Sequence, residues 1–245
     1  AVTVSDERSV HLALNHPLNA QTIEVSDFEF LINGNASNIE SIQIDPTNSL
    51  VLIITLSDYL HYQDDLKINH AGGVINSVYN SLLGTLVNFP VQNNLDERFY
   101  IPGLIQAESY TSQSGLATEN TSDSGGGLNI GYTDVNDYAE YPVFISQSGI
   151  YDLNFRIAAQ NQTGRIELSL IENETSEVVG SFNLPTTGGW QSWATNTHEI
   201  NLEAGVYTLK LRVALAGFNL NWMEFLYSDN NLNTNTLENT TPYIS

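Results

Sequence analysis

The sequence predicts an all-β chain built as two β-sandwiches in tandem. Three observations carry that expectation. Apolar residues recur at every second position within short runs. Turns rich in glycine and asparagine separate those runs. No stretch carries a convincing helical period.

Residues 1–97 form the first predicted domain. VHLAL (10–14), FEFLI (28–32), SIQID (41–45) and DLKIN (65–69) alternate apolar and polar positions, as half-buried strands do. SLVLIITL (49–56) is nearly all apolar and reads as a strongly buried strand. NGN at 33–35 and HAGG at 70–73 read as turns. About seven strands in such a length is the size of an immunoglobulin-like sandwich. PVQNNLDERFYIPG (90–103), with its polar centre, marks the junction.

Residues 98–228 form the second. YDLNFRIA puts Tyr151, Leu153, Phe155 and Ile157 on one face, and RIELSLI does so with Ile166, Leu168 and Leu170. VYTLKLRVAL aligns Tyr207, Leu209, Leu211, Val213 and Leu215, with Lys210 and Arg212 opposite. SGIYDL and EAGVYTL each open a strand from a glycine turn. The size and pattern predict a jelly roll. Residues 229–245 are Asn/Thr-rich and read as a tail or linker.

Composition narrows the function. Lys and Arg number 7 against 28 Asp and Glu, a formal charge of -21, which excludes nucleic acid and anionic membranes as natural partners. Neutral soluble partners and metal cations remain. Without cysteine there is no disulfide framework, thiol nucleophile or zinc–thiolate site. No apolar run approaches the length of a membrane span. The chain starts at Ala1 and reads as a mature product or an excised fragment of a secreted protein, expected to be a monomer.

The second domain carries a distinctive set of motifs: IQAESY (105–110), SGLATENTSDSGGGLNIGYTDVNDYAEYPV (114–143), SGIYDLNFRIAA (148–159), LPTTGGWQSWAT (184–195) and GFNLNWMEF (217–225). Together these resemble carbohydrate-binding module family 6 over nearly all of residues 104–228. The resemblance implies a jelly roll with a glycan site in the loops at one end. It implies that Trp190 and Tyr132 flank the sugar ring, that Asn219 hydrogen-bonds hydroxyls from the cleft base, and that Glu119 reaches in from the side. Elementary chemistry fits those roles. A pyranose presents C–H-rich faces to aromatic rings and hydroxyl edges to amides and carboxylates. Gly188 and Gly189 let the backbone turn sharply before Trp190. Trp193 and Trp222 are expected in the core. Asn219 and Asn221 share a strand face, so their division of labour stays open.

Some family members bind glycan on the concave face as well, which points to Tyr138 and Asp137 for a second cleft; a half-buried strand tyrosine is the competing reading. The resemblance also implies a structural calcium ion bracing the first and last strands, with Gln106, Glu108 and Asn221 as ligands and carbonyls from the 125–127 turn. The first domain resembles the immunoglobulin-like modules of bacterial glycoside hydrolases, which act as spacers.

The chain is therefore expected to be a non-catalytic part of a secreted polysaccharide-degrading enzyme, with a catalytic glycanase domain elsewhere in the full-length chain. Its target is expected to be a neutral polysaccharide: β-glucan first, then xylan, then agarose. Two alternatives remain. The acids Glu119, Asp123, Asp134, Asp137 and Glu140 would serve a glycan-active enzyme if two of them converged on one bond. A structural or adhesive pair of spacers would have no use for an exposed Trp190.

Overall fold

The computed structural model describes residues 1–19, 23–73 and 75–228. The tail expected at 229–245 lies outside the described residues. The chain divides into two compact units, Ala1–Glu97 and one that begins at Arg98.

Among its described residues the first unit holds eight strands: β1 (Val2–Asp6), β2 (Ser9–Ala13), β3 (Phe28–Ile32), β4 (Asn35–Ser37), β5 (Ile39–Ile44), β6 (Val51–Leu56), β7 (Leu66–His70) and β8 (Leu86–Pro90). They form two four-stranded sheets, ordered β1-β2-β6-β5 and β4-β3-β7-β8. Alternation explains the layers: Val10, Leu12, Leu52 and Ile54 from one sheet meet Phe28, Phe30 and Ile68 from the other in a single core. The unit is a β-sandwich.

Among its described residues the second unit holds twelve strands. One sheet contains β12 (Ala117–Asn120), β13 (Leu128–Gly131), β20 (Asn219–Tyr227), β15 (Gly149–Ala158) and β18 (Ala194–Leu202) in that order, with β10 (Gly103–Gln106) also on β20. The other contains β11 (Ser112–Ser114), β14 (Tyr138–Ile145), β19 (Gly205–Leu215), β16 (Gly164–Glu172) and β17 (Thr175–Leu184), with β9 (Phe99–Ile101) parallel to β14. Tyr151, Leu153, Phe155 and Ile157 of β15 are buried, as are Ile166, Leu168 and Leu170 of β16 and Leu209, Leu211 and Val213 of β19. These residues belong to one continuous core between the sheets. The all-β tandem-sandwich class is thus the one the alternation predicts.

Two expectations of packing fail, each for a local reason. Leu215 is exposed rather than aligned with Val213. The pairing shifts register between Arg165 and Ile166, so Leu215 opposes Arg165 beyond a bulge that breaks the period of two. Trp193 and Trp222 are half-buried and stand outside the core. Trp222 alternates with the inward Met223, so it projects from the opposite face of β20.

Candidate functional site

The site is assembled from four loop-end segments of the second unit. Trp190 lies between β17 and β18, Tyr132 follows β13, Asn219 opens β20, and Glu119 sits on β12. All four line one cavity of about 490 Å³, together with Asp134 and Gln162.

The two exposed aromatics are held stiffly. The turn before Trp190 needs Gly188 at φ +89°, a region L-residues avoid. That turn is pinned to the end of β15, because the Thr187 and Gly188 N–H groups both donate to the Ala159 carbonyl, at 2.8 and 3.0 Å. In return the Ala159 N–H donates to Thr187 Oγ1 at 2.8 Å. Trp190 is left 43% exposed and Tyr132 69% exposed, unlike any other aromatic around this cavity. Tyr132 itself adopts φ +54°, a left-handed conformation that costs an aromatic residue energy. Its neighbour secures it: Thr133 Oγ1 donates to the Phe218 carbonyl at 3.3 Å and accepts the Gly217 N–H at 3.1 Å.

The floor is a polar net. Asn219 Nδ2 donates to Glu119 Oε1 at 2.7 Å and to the Trp190 carbonyl at 2.8 Å. One amide thus ties the Glu119 carboxylate to the Trp190 backbone. Glu119 Oε1 also accepts from Gln191 Nε2 at 3.1 Å and from the buried Asn129 Nδ2 at 3.4 Å. Glu119 Oε2 accepts from the Tyr132 hydroxyl at 3.4 Å. Gly131 leaves room for this arrangement: a Cβ there would lie 2.6 Å from Asn219 Oδ1.

Asn219 and Asn221 are separated by a second bulge. Arg156 pairs with Trp222 and Ile157 with Leu220, so Asn221 is the extra residue of β20. Asn219 turns to the cavity, and Asn221 Nδ2 donates instead to Asp123 Oδ2 at 2.9 Å.

The acids scatter. Asp123 is bridged by Arg156, at 2.7 Å from Nε and 2.6 Å from Nη2. Asp137 Oδ2 accepts the Asp134 N–H at 2.7 Å within a turn, and Glu140 pairs with Lys210 at 2.8 Å. Only Glu119 and Asp134 of the five line the cavity. His198 packs against Phe155 and Phe182, where burial lowers its pKa. Tyr138 and Asp137 stand apart from the cavity: the Lys210 ammonium sits 3.6 Å from the centre of the Tyr138 ring, covering a face that a sugar would need.

The residues suggested for a cation are also placed unevenly. Gln106 is exposed. Glu108 is half-buried, its Oε2 is fully shielded without a hydrogen-bond partner, and its Oε1 lies beside Gly127. A shielded carboxylate oxygen without a donor fits a bound cation. Among the described residues no group of three or more His, Cys, Asp or Glu side chains is placed to hold a metal. Carbonyl and amide oxygens would therefore have to complete any such site.

Sequence reading passed over Gln191, Asn129 and Gln162. Gln191 follows Trp190 directly, but nothing in its spacing shows which way an amide turns.

A sandwich that presents two exposed aromatics above an amide-and-carboxylate floor is the geometry of a carbohydrate-binding module. The model of carbohydrate-binding module family 6 matches residues 106–226, and the chain belongs to that family through this unit. It is similar to a β-1,3-glucan-binding family 6 module from Bacillus halodurans, with 32% identity and a TM-score of 0.50, covering 53% of this chain and 99% of that one. It is 40% identical to a module of Cellvibrio mixtus lichenase 5A solved with cellotriose, covering 52% of this chain and 98% of that one at a TM-score of 0.47. Among curated proteins it is 38% identical over 122 residues to the clotting factor G alpha subunit of Tachypleus tridentatus. The chain covers 18% of that relative's length. The family 6 unit is a non-catalytic binding module.

Proposed function

We propose that this chain is the targeting portion of a secreted polysaccharide-degrading enzyme and that it binds β-glucan through the Trp190–Tyr132 cavity. The observation that carries the reading is the pair of exposed aromatics above the Glu119–Asn219 floor. Rings meet the C–H face of a pyranose, and the carboxylate and amide meet its hydroxyls. Among the described residues two carboxylates and no Lys or Arg line the cavity, so a neutral chain is favoured over uronic acids or sulfated glycans. The similarity to a β-1,3-glucan-binding module supports a glucan. In this reading the first unit is a spacer, the monomer is the working form, and a catalytic domain elsewhere in the full-length protein gains local substrate concentration. Xylan and agarose rank next.

The test is calorimetric titration with laminarin, barley β-glucan, cello-, xylo- and agaro-oligosaccharides, with alginate as an anionic control. Saturable heat with one of the β-glucans and none with alginate is the expected result. Binding confined to xylan or agarose would move the target class, and silence throughout would remove the function.

A structural cation belongs to the same proposal. Glu108 would hold it, with carbonyls of the 125–127 turn and the amide oxygens of Gln106 and Asn221 completing the shell. Its positive charge would brace the end of β10 against the turn and perform no chemistry. Calcium at about 100 times its Kd should then stabilise the second unit by roughly 2.7 kcal/mol. Melting followed by tryptophan fluorescence, with and without chelator, checks this. Glu108→Gln should abolish the calcium-dependent shift; an equal shift in that variant would exclude Glu108.

A further inference from the structure

We propose that Gln191 is the positioning residue of the sugar site, orienting Glu119 so that only Oε2 is offered to the glycan. The inference rests on the reading of Glu119 as a sugar contact. Gln191 Oε1 accepts the Ser122 N–H at 2.7 Å and the Trp193 Nε1–H at 3.2 Å. Both partners are donors, so the oxygen must face them and the Nε2 group must face the other way. There it meets two acceptors, Glu119 Oε1 at 3.1 Å and Asn129 Oδ1 at 3.4 Å. The amide orientation is fixed by four independent contacts rather than chosen.

The consequence falls on Glu119. Its Oε1 receives three amide donors, from Asn219, Gln191 and Asn129. Among the described residues no N–H group is bonded to Oε2, which keeps acceptor capacity beside Tyr132. A sugar hydroxyl that donates is matched there. Gln191 also follows Trp190 in the chain and joins the Ser122 turn through Ser122 Oγ, which donates to the Gln191 carbonyl at 3.3 Å. The residue therefore links the stacking platform, the carboxylate and the turn after β12 into one preorganised unit. Preorganisation of this kind saves ordering cost on binding.

Gln191→Glu separates positioning from simple loop support. The new carboxylate keeps an oxygen for the Ser122 and Trp193 donors, so the loop stays anchored. Its other oxygen now faces Glu119 Oε1. When both carboxyls are ionised they repel, and Glu119 loses a donor. When one proton is shared, the protonated oxygen donates to Glu119 Oε1 and restores the contact. Such a pair titrates in two separated steps, the upper above the usual carboxylate range.

The experiment is glycan titration of the unaltered protein and Gln191→Glu side by side from pH 5 to 9, using the best glycan of the panel. The variant should bind at least about tenfold more weakly at pH 9 and within about threefold of the unaltered protein at pH 5. Affinities that match at pH 9, or a deficit that does not change with pH, would overturn the proposal. Carboxyl ¹³C NMR of the free variant gives a second readout that needs no ligand. Coupled titration of residues 119 and 191 is expected, and independent titration would overturn positioning. Thus failure of the unaltered protein to bind any glycan removes the proposed function, while the free-state titration still decides the role of Gln191. Should the variant not fold, side-chain amide exchange in the unaltered protein decides instead. The Gln191 Nε2 protons should be protected relative to those of the exposed Gln113, and equal exchange would overturn the proposal.

Discussion

Replacing Trp190 by alanine should weaken glycan binding at least about 30-fold, which corresponds to about 2 kcal/mol, while leaving the fold intact. The two halves of that expectation come from different observations. The side chain is 43% exposed and lies outside the core, so its removal opens no cavity between the sheets. Its backbone carbonyl, which accepts from Asn219, survives the substitution. The floor therefore remains built, and what is lost is the apolar face against which a sugar ring would lie. Desolvating hydroxyls without that compensating surface leaves little net affinity. The measurement is calorimetric titration with the best glycan of the panel, paired with a thermal melt of the variant. A variant that melts like the parent and binds like it would remove Trp190 from the site and leave Tyr132 as the sole platform. A variant that melts much lower would show that the loop is structural. The unaltered protein offers an internal check: saturating glycan should shift the tryptophan emission to the blue, and the shift should vanish with Trp190.

How far this site was legible depends on the kind of information each feature needs. Alternation along 151–157 fixes which side chains of β15 are buried, because a strand's geometry repeats every two residues. The TTGGWQSW stretch identifies Trp190 as presented rather than packed, since Gly188 has to turn with a positive φ before it. Bulges break that logic. Leu215 and Asn221 lie where an extra residue on one strand shifts the register, and the alternation gives no notice of it. Side-chain amide orientation is invisible to the chain altogether. Gln191 is a polar letter after a tryptophan until Ser122 and Trp193 are seen to hold its oxygen. The tryptophans of the second unit show the same limit from the other side. Trp193 and Trp222 read as core by size, yet each stands half-exposed outside the layer that carries Phe155, Met223 and Phe225.

The ion pair between Asp123 and Arg156 escapes sequence reading for a related reason, and the second large effect is expected there. Asp123→Ala should destabilise the second unit by about 3 kcal/mol at neutral pH. The Asp123 side chain is 6% exposed and that of Arg156 is 24% exposed, so each is largely removed from water. The pair is bidentate and Asn221 adds a third donor. Removing the carboxylate leaves a guanidinium and an amide facing each other with no acceptor between them. The Arg156 contacts hold the Asp123 pKa down to about 2, with the Asn221 hydrogen bond assisting, from an ordinary 3.8. A depressed folded-state pKa contributes stability that is present above the unfolded value and is lost as pH falls through the folded one. That contribution is about 2 kcal/mol and should disappear between roughly pH 4 and pH 2. Urea unfolding at pH 7 and at pH 2.5 separates this from a generic loss of packing. All three tryptophans lie in the second unit, so their fluorescence follows this unit within the intact chain. The deficit of Asp123→Ala relative to the unaltered protein should be large at pH 7 and should shrink by more than half at pH 2.5. A deficit of the same size at both values would mean that the side chain acts through shape rather than charge. Because Ser122 beside it anchors Gln191, the same substitution should also loosen the carboxylate floor. Weakened glycan affinity at neutral pH, in a variant still folded, would show that the ion pair reaches the sugar site through the turn after β12.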